Sequence, residues 1–142
     1  MGKILVLGCD DVGFEVARRF ERRSVVVVDK STKRVEHLKF NVGYDAVVGD
    51  FGSPETLRKA SIESAKVVII STLEFSETKR ALEAINQIKS ELNICPLVLA
   101  LAMDESEVWE AQRLGASVVV PQNQVLAEAV VKELYECKMI ER

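Results

Sequence analysis

A chain of 142 residues is long enough for one domain with its own core and too short for two ordinary ones. With 48% hydrophobic and 29% charged residues it reads as a soluble globular protein, and no apolar run approaches the about 20 residues of a membrane span. A net charge of −3 excludes broad electrostatic attraction to nucleic acid or to an anionic membrane surface.

Lys3 to Leu7 reads as a strand entered directly after Met1, which argues against a signal peptide. Val12 to Glu21 reads as a helix with Phe14, Val16, Ala17 and Phe20 apolar. The arginines at its end (Arg18, Arg19, Arg22 and Arg23) suit a solvated face near the negative pole of the helix dipole. Ser24 to Val28 is a second strand, apolar in its valines and so buried on both faces. Ser31 to Phe40 is a second helix, with Val35 and Leu38 toward the sheet and His37 a surface residue. Ala46 to Val48 is a third strand, and Ser53-Pro54 opens a third helix with a cap residue and a proline at the first helical position. Val67 to Ser71 is a fourth strand. Phe75 to Leu92 is a long helix striped by Ala81, Leu82, Ala84, Ile85 and Ile88. A fifth strand runs from Leu97 to Ala102. Asp104-x-x-Glu107 then starts a helix carrying Trp109, which stops at Leu114-Gly115. Ser117 to Val120 is a sixth strand. In the last helix, Gln122 to Met139, the residues Val125, Leu126, Ala129, Val130 and Leu134 recur at helical spacing.

Strand and helix alternate throughout, so the strands pair in parallel through right-handed crossovers. The fold class expected is α/β: a doubly wound, Rossmann-like parallel sheet of about six strands with helices on both faces, and residues 1–142 form one domain. Cys9, Cys95 and Cys137 are odd in number and lack metal-ligand or disulfide spacing, which places the chain in a reduced, cytoplasmic setting.

Ligands of such sheets sit beyond the carboxyl ends of the strands, at the switch point. There the sequence "GCDDVG" puts Gly8 and Gly13 at the first and third glycines of G-x-G-x-x-G, with Asp10 at the middle one and Asp11 beside it. Asp29 stands 21 residues beyond Gly8, where an acid accepts hydrogen bonds from ribose hydroxyls. The competing reading, that Asp29 only caps the next helix, meets a rival for that job in Ser31.

The stretch "VVVVDKSTKRVEHLKFNVGYDAVVGDFGSPETLRKASIESAKVVIIST", followed by "LGASVVVP", resembles the TrkA-N or RCK N-terminal (KTN) domain family of potassium transport regulators. The resemblance rests on Asp29, Val35, Leu38, Asp45 to Asp50, Val67 to Thr72 and Leu114 to Pro121, and covers residues 3 to about 135. It implies a domain that dimerises and binds NAD(H) or an adenine nucleotide (AMP, ADP or ATP), and a membrane-bound potassium channel or transporter as partner. By position it assigns Gly8, Cys9, Asp10, Asp11, Val12, Gly13, Asp29, Lys30, Asp50, Phe51 and Thr72 to the nucleotide, with Asp50 and Phe51 by the adenine and Asp29 on its ribose. It implies no catalytic residue and no resident metal, and it makes the last helix a crossover arm or the lead-in to a further domain.

Three positions depart from the family pattern: Asp10, Asp11, and the Ala100-Leu101-Ala102 run where an arginine is usual. A carboxylate ~4 Å from a phosphate costs about 4 kcal/mol at an effective dielectric near 20. Half of that is roughly a thirtyfold loss of affinity. Three outcomes stay open. An adenine nucleotide binds in an altered pose, AMP suffering less than NAD; or a divalent cation bridges Asp10 or Asp11 to a phosphate; or Asp10 and Asp11 cap the helix and fill the phosphate seat. In the last case a degenerate domain serves as a dimerisation or docking module, or as part of a phosphoesterase fusion. Catalysis is not expected, because no acid-base or nucleophile arrangement accompanies the single nucleotide-binding unit.

Overall fold

The computed structural model describes residues 2–141; Met1 and Arg142, the ends of the single domain expected over 1–142, lie outside them. Six strands form one sheet: β1 (Lys3–Leu7), β2 (Val25–Asp29), β3 (Asp45–Val48), β4 (Ala65–Ile70), β5 (Leu97–Ala102) and β6 (Val118–Pro121). Every pairing is parallel and the order is β3-β2-β1-β4-β5-β6. The direction of winding reverses between β1 and β4, so the crevice of the switch point opens at their carboxyl ends. Helices follow as α1 (Asp11–Ala17), α2 (Thr32–Glu36), α3 (Pro54–Lys59), α4 (Phe75–Leu92), α5 (Glu105–Arg113) and α6 (Gln122–Glu136).

Alternation along the strands builds two cores. Leu5, Leu7, Val26, Val28, Val68, Ile70, Val98 and Ala100 point to one face, where Leu57 of α3, Leu82, Ile85 and Ile88 of α4 and Ala111 of α5 cover them. Val6, Val25 and Val27 point to the other, under Ala17 of α1 and Val35 of α2. All five residues of β2 are buried, as its valine run requires of a strand covered on both faces.

Two helices differ from the expected extent. The first ends at Ala17, not Glu21: the N–H groups of Arg19 and Phe20 reach back only three residues, to the Val16 and Ala17 carbonyls, which tightens the chain into a turn and leaves Phe20 exposed. The second keeps Val35 and Leu38 buried but changes after Glu36 into a wider π-turn, His37–Val42, closed by Gly43 in the left-handed region. Of the α5 stripe only Ala111 is buried, and Trp109 points outward at 70% exposure.

Candidate nucleotide site at the strand ends

The chain leaves β1 through Gly8, whose φ of +95° turns the backbone into the loop at no steric cost. Gly13 then sits in the first turn of α1, hard against that loop. A Cβ at Gly13 would fall 1.9 Å from the Gly8 carbonyl oxygen, to which the Ser71 hydroxyl also donates. These two glycines therefore serve the turn and the packing of helix on strand.

Asp10 is the residue before α1, yet no side chain caps that helix. Its ψ of −120° lies outside the extended conformation that aims a cap carboxylate at the following N–H groups. The capping reading of Asp10 and Asp11 is corrected accordingly: both are exposed and both line the cleft.

Asp29 closes β2 and is 4% exposed. Its Oδ2 accepts the Cys9 N–H at 2.9 Å, and its Oδ1 accepts the Ser31 N–H at 2.9 Å and an Arg34 guanidinium N–H at 3.1 Å. Ser31 is the true cap of α2, its hydroxyl accepting the Arg34 N–H at 3.2 Å. Asp29 is thus the tie between the glycine loop and the start of α2.

Lys30, the next residue, bonds Glu77 of α4 at 3.0 Å, and this partner raises its pKa. Glu77 also lies 3.7 Å from Arg80, which grips Asp50 through two contacts of 3.1 and 2.5 Å. Arg80 and the Gly52 N–H hold the Asp50 carboxyl below its ordinary range, with burial opposing them. Asp50 consequently faces α4 and not the cleft, while Phe51 beside it is 3% exposed and forms part of the wall.

The resulting cleft encloses about 430 Å³, within the range of small-ligand pockets. Gly8, Asp10, Asp11, Asp29, Lys30, Phe51 and Thr72 of the expected set line it. Val12, Gly13 and Asp50 do not, and Cys9 lines a separate hollow behind the loop with Phe14, His37 and Leu38. Burial pushes the Cys9 thiol up to about 12, with the Asp29 charge adding to it. Sequence reasoning missed Ser31, Arg34 and Glu77 as wall residues. The first two could have been found from the turn that follows Asp29, since residues two and five places on curl back over it; Glu77 carried no local signal. The wall holds five carboxylates (Asp10, Asp11, Asp29, Glu74 and Glu77) against two cations, Lys30 and Arg34, each already paired with one of them. Among the described residues no group of three or more acidic, histidine or cysteine side chains converges to hold a metal ion, so a cation bridging Asp10 or Asp11 would find no third protein ligand.

Comparison with known proteins agrees with this architecture. The TrkA-N domain model matches residues 4–122. Over 73 residues the chain is 34% identical to the Trk system potassium uptake protein TrkA of Azorhizobium caulinodans, covering 50% of this chain and 16% of that protein. The chain therefore spans only a small part of that relative. The TrkA-N domain of the inner membrane protein YbaL from Escherichia coli superposes with a TM-score of 0.82 at 23% identity, over 94% of this chain and 96% of the other. The GsuK channel bound to NAD superposes with a TM-score of 0.73 at 22% identity, over 88% of this chain and 22% of the channel's, and the same channel has been solved bound to ADP. With the strand order, the glycine loop and the acid at the end of β2 in place, and with the family model matched over most of the length, the chain belongs to the TrkA-N domain family.

Proposed function

We propose that this chain is a nucleotide-binding regulatory domain of a potassium transport system. It would take NAD(H) or an adenine nucleotide in the cleft at the switch point, work as a homodimer on the cytoplasmic side, and pass the occupancy of the cleft to a membrane-bound channel or transporter. The observation that carries this reading is Asp29, buried at the end of β2 and roped to the glycine loop, beside a cleft of about 430 Å³ with Phe51 in its wall. That the related GsuK channel has been solved with NAD and with ADP supports it.

The cleft's own chemistry favours holding over converting. The Ser71 hydroxyl is taken up by the carbonyls of Leu7 and Gly8, and Lys30 by Glu77. Neither is placed as a free acid, base or nucleophile. Five carboxylates in the wall also favour ligands with few phosphates, so AMP and ADP should bind better than ATP.

Titration calorimetry with NADH, ATP, ADP and AMP tests the reading. Saturable binding of AMP or ADP is expected, abolished in Asp29→Ala. Asp10→Gly should tighten binding roughly thirtyfold by removing the nearest like charge. Silence for all four ligands would overturn the sensor reading in favour of a docking module with a vestigial cleft.

A further inference from the structure

The parallel register shows that half of one sheet face has no cover. Ile4 and Val6 of β1 belong to the core under α1 and α2. Following that face outward, Ile4 pairs with Val67 and Val6 with Ile69. Val67 then pairs with Leu97 and Ile69 with Leu99; Leu99 pairs with Val118 and Leu101 with Val120. Val67, Leu97, Leu99, Leu101, Val118 and Val120 are all aliphatic, and none belongs to either core. Leu97 is 43% and Val118 41% exposed. On the opposite face, α3, α4 and α5 cover the same strands.

The same chain carries a helix with nothing to cover. No residue of α6 is buried, and Val125, Leu126, Val130, Val131 and Leu134 are exposed. Four of these five lie along one stripe at spacings of three to four residues. The two bare surfaces cannot meet within one chain. β6 ends at Pro121 and α6 begins at Gln122, with no residue between. A helix that returns to lie along its own sheet needs a connection of about 2–6 residues to reverse direction. Short hinges of this kind are what drive exchange of an element between copies.

We propose that α6 is exchanged between two copies of the chain, its apolar stripe lying on the bare β4-β5-β6 face of the other copy. The proposal rests on the homodimer proposed above and names its surface. A 15-residue helix is about 22 Å long and about 10 Å across. Two reciprocal contacts thus cover four surfaces of roughly 200 Å² each in projection, and corrugation brings the accessible area lost to the about 1,000 Å² a specific interface needs. The contact is aliphatic on both sides, as in a domain core cut in half.

Two measurements on the full chain test it. Light scattering on a sizing column should show a dimer, and the double variant Leu126→Glu with Val130→Glu should raise its dissociation constant at least ~30-fold without altering the far-ultraviolet dichroism. Because α6 is exposed in each chain, these changes leave both cores intact. In the second, a photocrosslinking amino acid replaces Leu101, and equal parts of heavy-isotope and ordinary chain are mixed after unfolding and refolding. Mixed-mass crosslinks to peptides of α6 are expected. Inserting four glycine and serine residues after Pro121 should convert them to same-chain crosslinks in a monomer. A dimer that survives the glutamate pair would overturn the exchange and leave the homodimer standing. A monomeric wild-type chain would overturn both, and same-chain crosslinks to α6 in the wild type would overturn the exchange.

Discussion

Asp29 is where one residue does most to fix the site. Replacing it with alanine would leave the buried Cys9 N–H, the Ser31 N–H and one Arg34 bond without an acceptor. A loss of about 3 kcal/mol in stability is expected by denaturant titration, beyond the loss of ligand binding. Gly13→Ala drives a Cβ into the Gly8 carbonyl at 1.9 Å with the Ser71 hydroxyl on the far side, so nothing flexible is there to yield. It should cost about 3 kcal/mol, read as a fall in Tm. Cys9 is buried while Cys95 and Cys137 are exposed. Two thiols should titrate with a disulfide reagent in the native protein at pH 8 and three after unfolding. Its pKa is raised in the folded state from 9.0 to about 12. The stability this reflects is full below pH 9 and is lost as pH rises toward 12, because the unfolded thiol ionises first. In Cys9→Ala the alkaline part of the pH–stability curve should be flatter by that amount.

The elements explain which parts of the site were readable. β2 was legible as a buried strand because valines 25 to 28 leave no polar face, and the acid after it followed from the strand's length. The end of α1 was not legible. Arg18, Arg19 and Glu15 tolerate helix or turn equally, since their charges meet in either, and the decision came from the chain's need to turn into β2. At α2 the cap is local: Ser31→Ala should cost about 1 kcal/mol by losing the bond to the Arg34 N–H. It should also loosen Arg34, which that same turn holds on Asp29. Placing Asp50 by the adenine took account of its own strand only. Arg80 sits 30 residues away on α4 and turned its carboxylate aside.

At the scale of the molecule the charge distribution sets the sign of a test that composition alone leaves open. A net charge of −3 is modest, but five carboxylates gather in one cleft. A nucleotide approaching it is repelled, and salt screens that repulsion over a Debye length of about 8–10 Å. Affinity for ADP, measured by calorimetry between low salt and about 0.2 M, should therefore rise with ionic strength, opposite to a cationic phosphate site. Asp10→Asn with Asp11→Asn should flatten the dependence. No helix among the described residues is long and apolar enough to cross a membrane, so a link to a membrane partner would run through surfaces such as the α6 stripe.

By itself the sequence determined the alternation of strands and helices, the glycine turn after β1 and the acid after β2, because each is written in neighbouring residues: valine runs, a proline at a helix start, a glycine that must turn. Only the tertiary structure decided what those pieces face. The pairing of Asp50 with Arg80, the closing of Arg34 over Asp29 and the bare face of β4-β5-β6 all join residues far apart in the chain or in different elements. Such contacts follow from strand order and register, which no local pattern specifies.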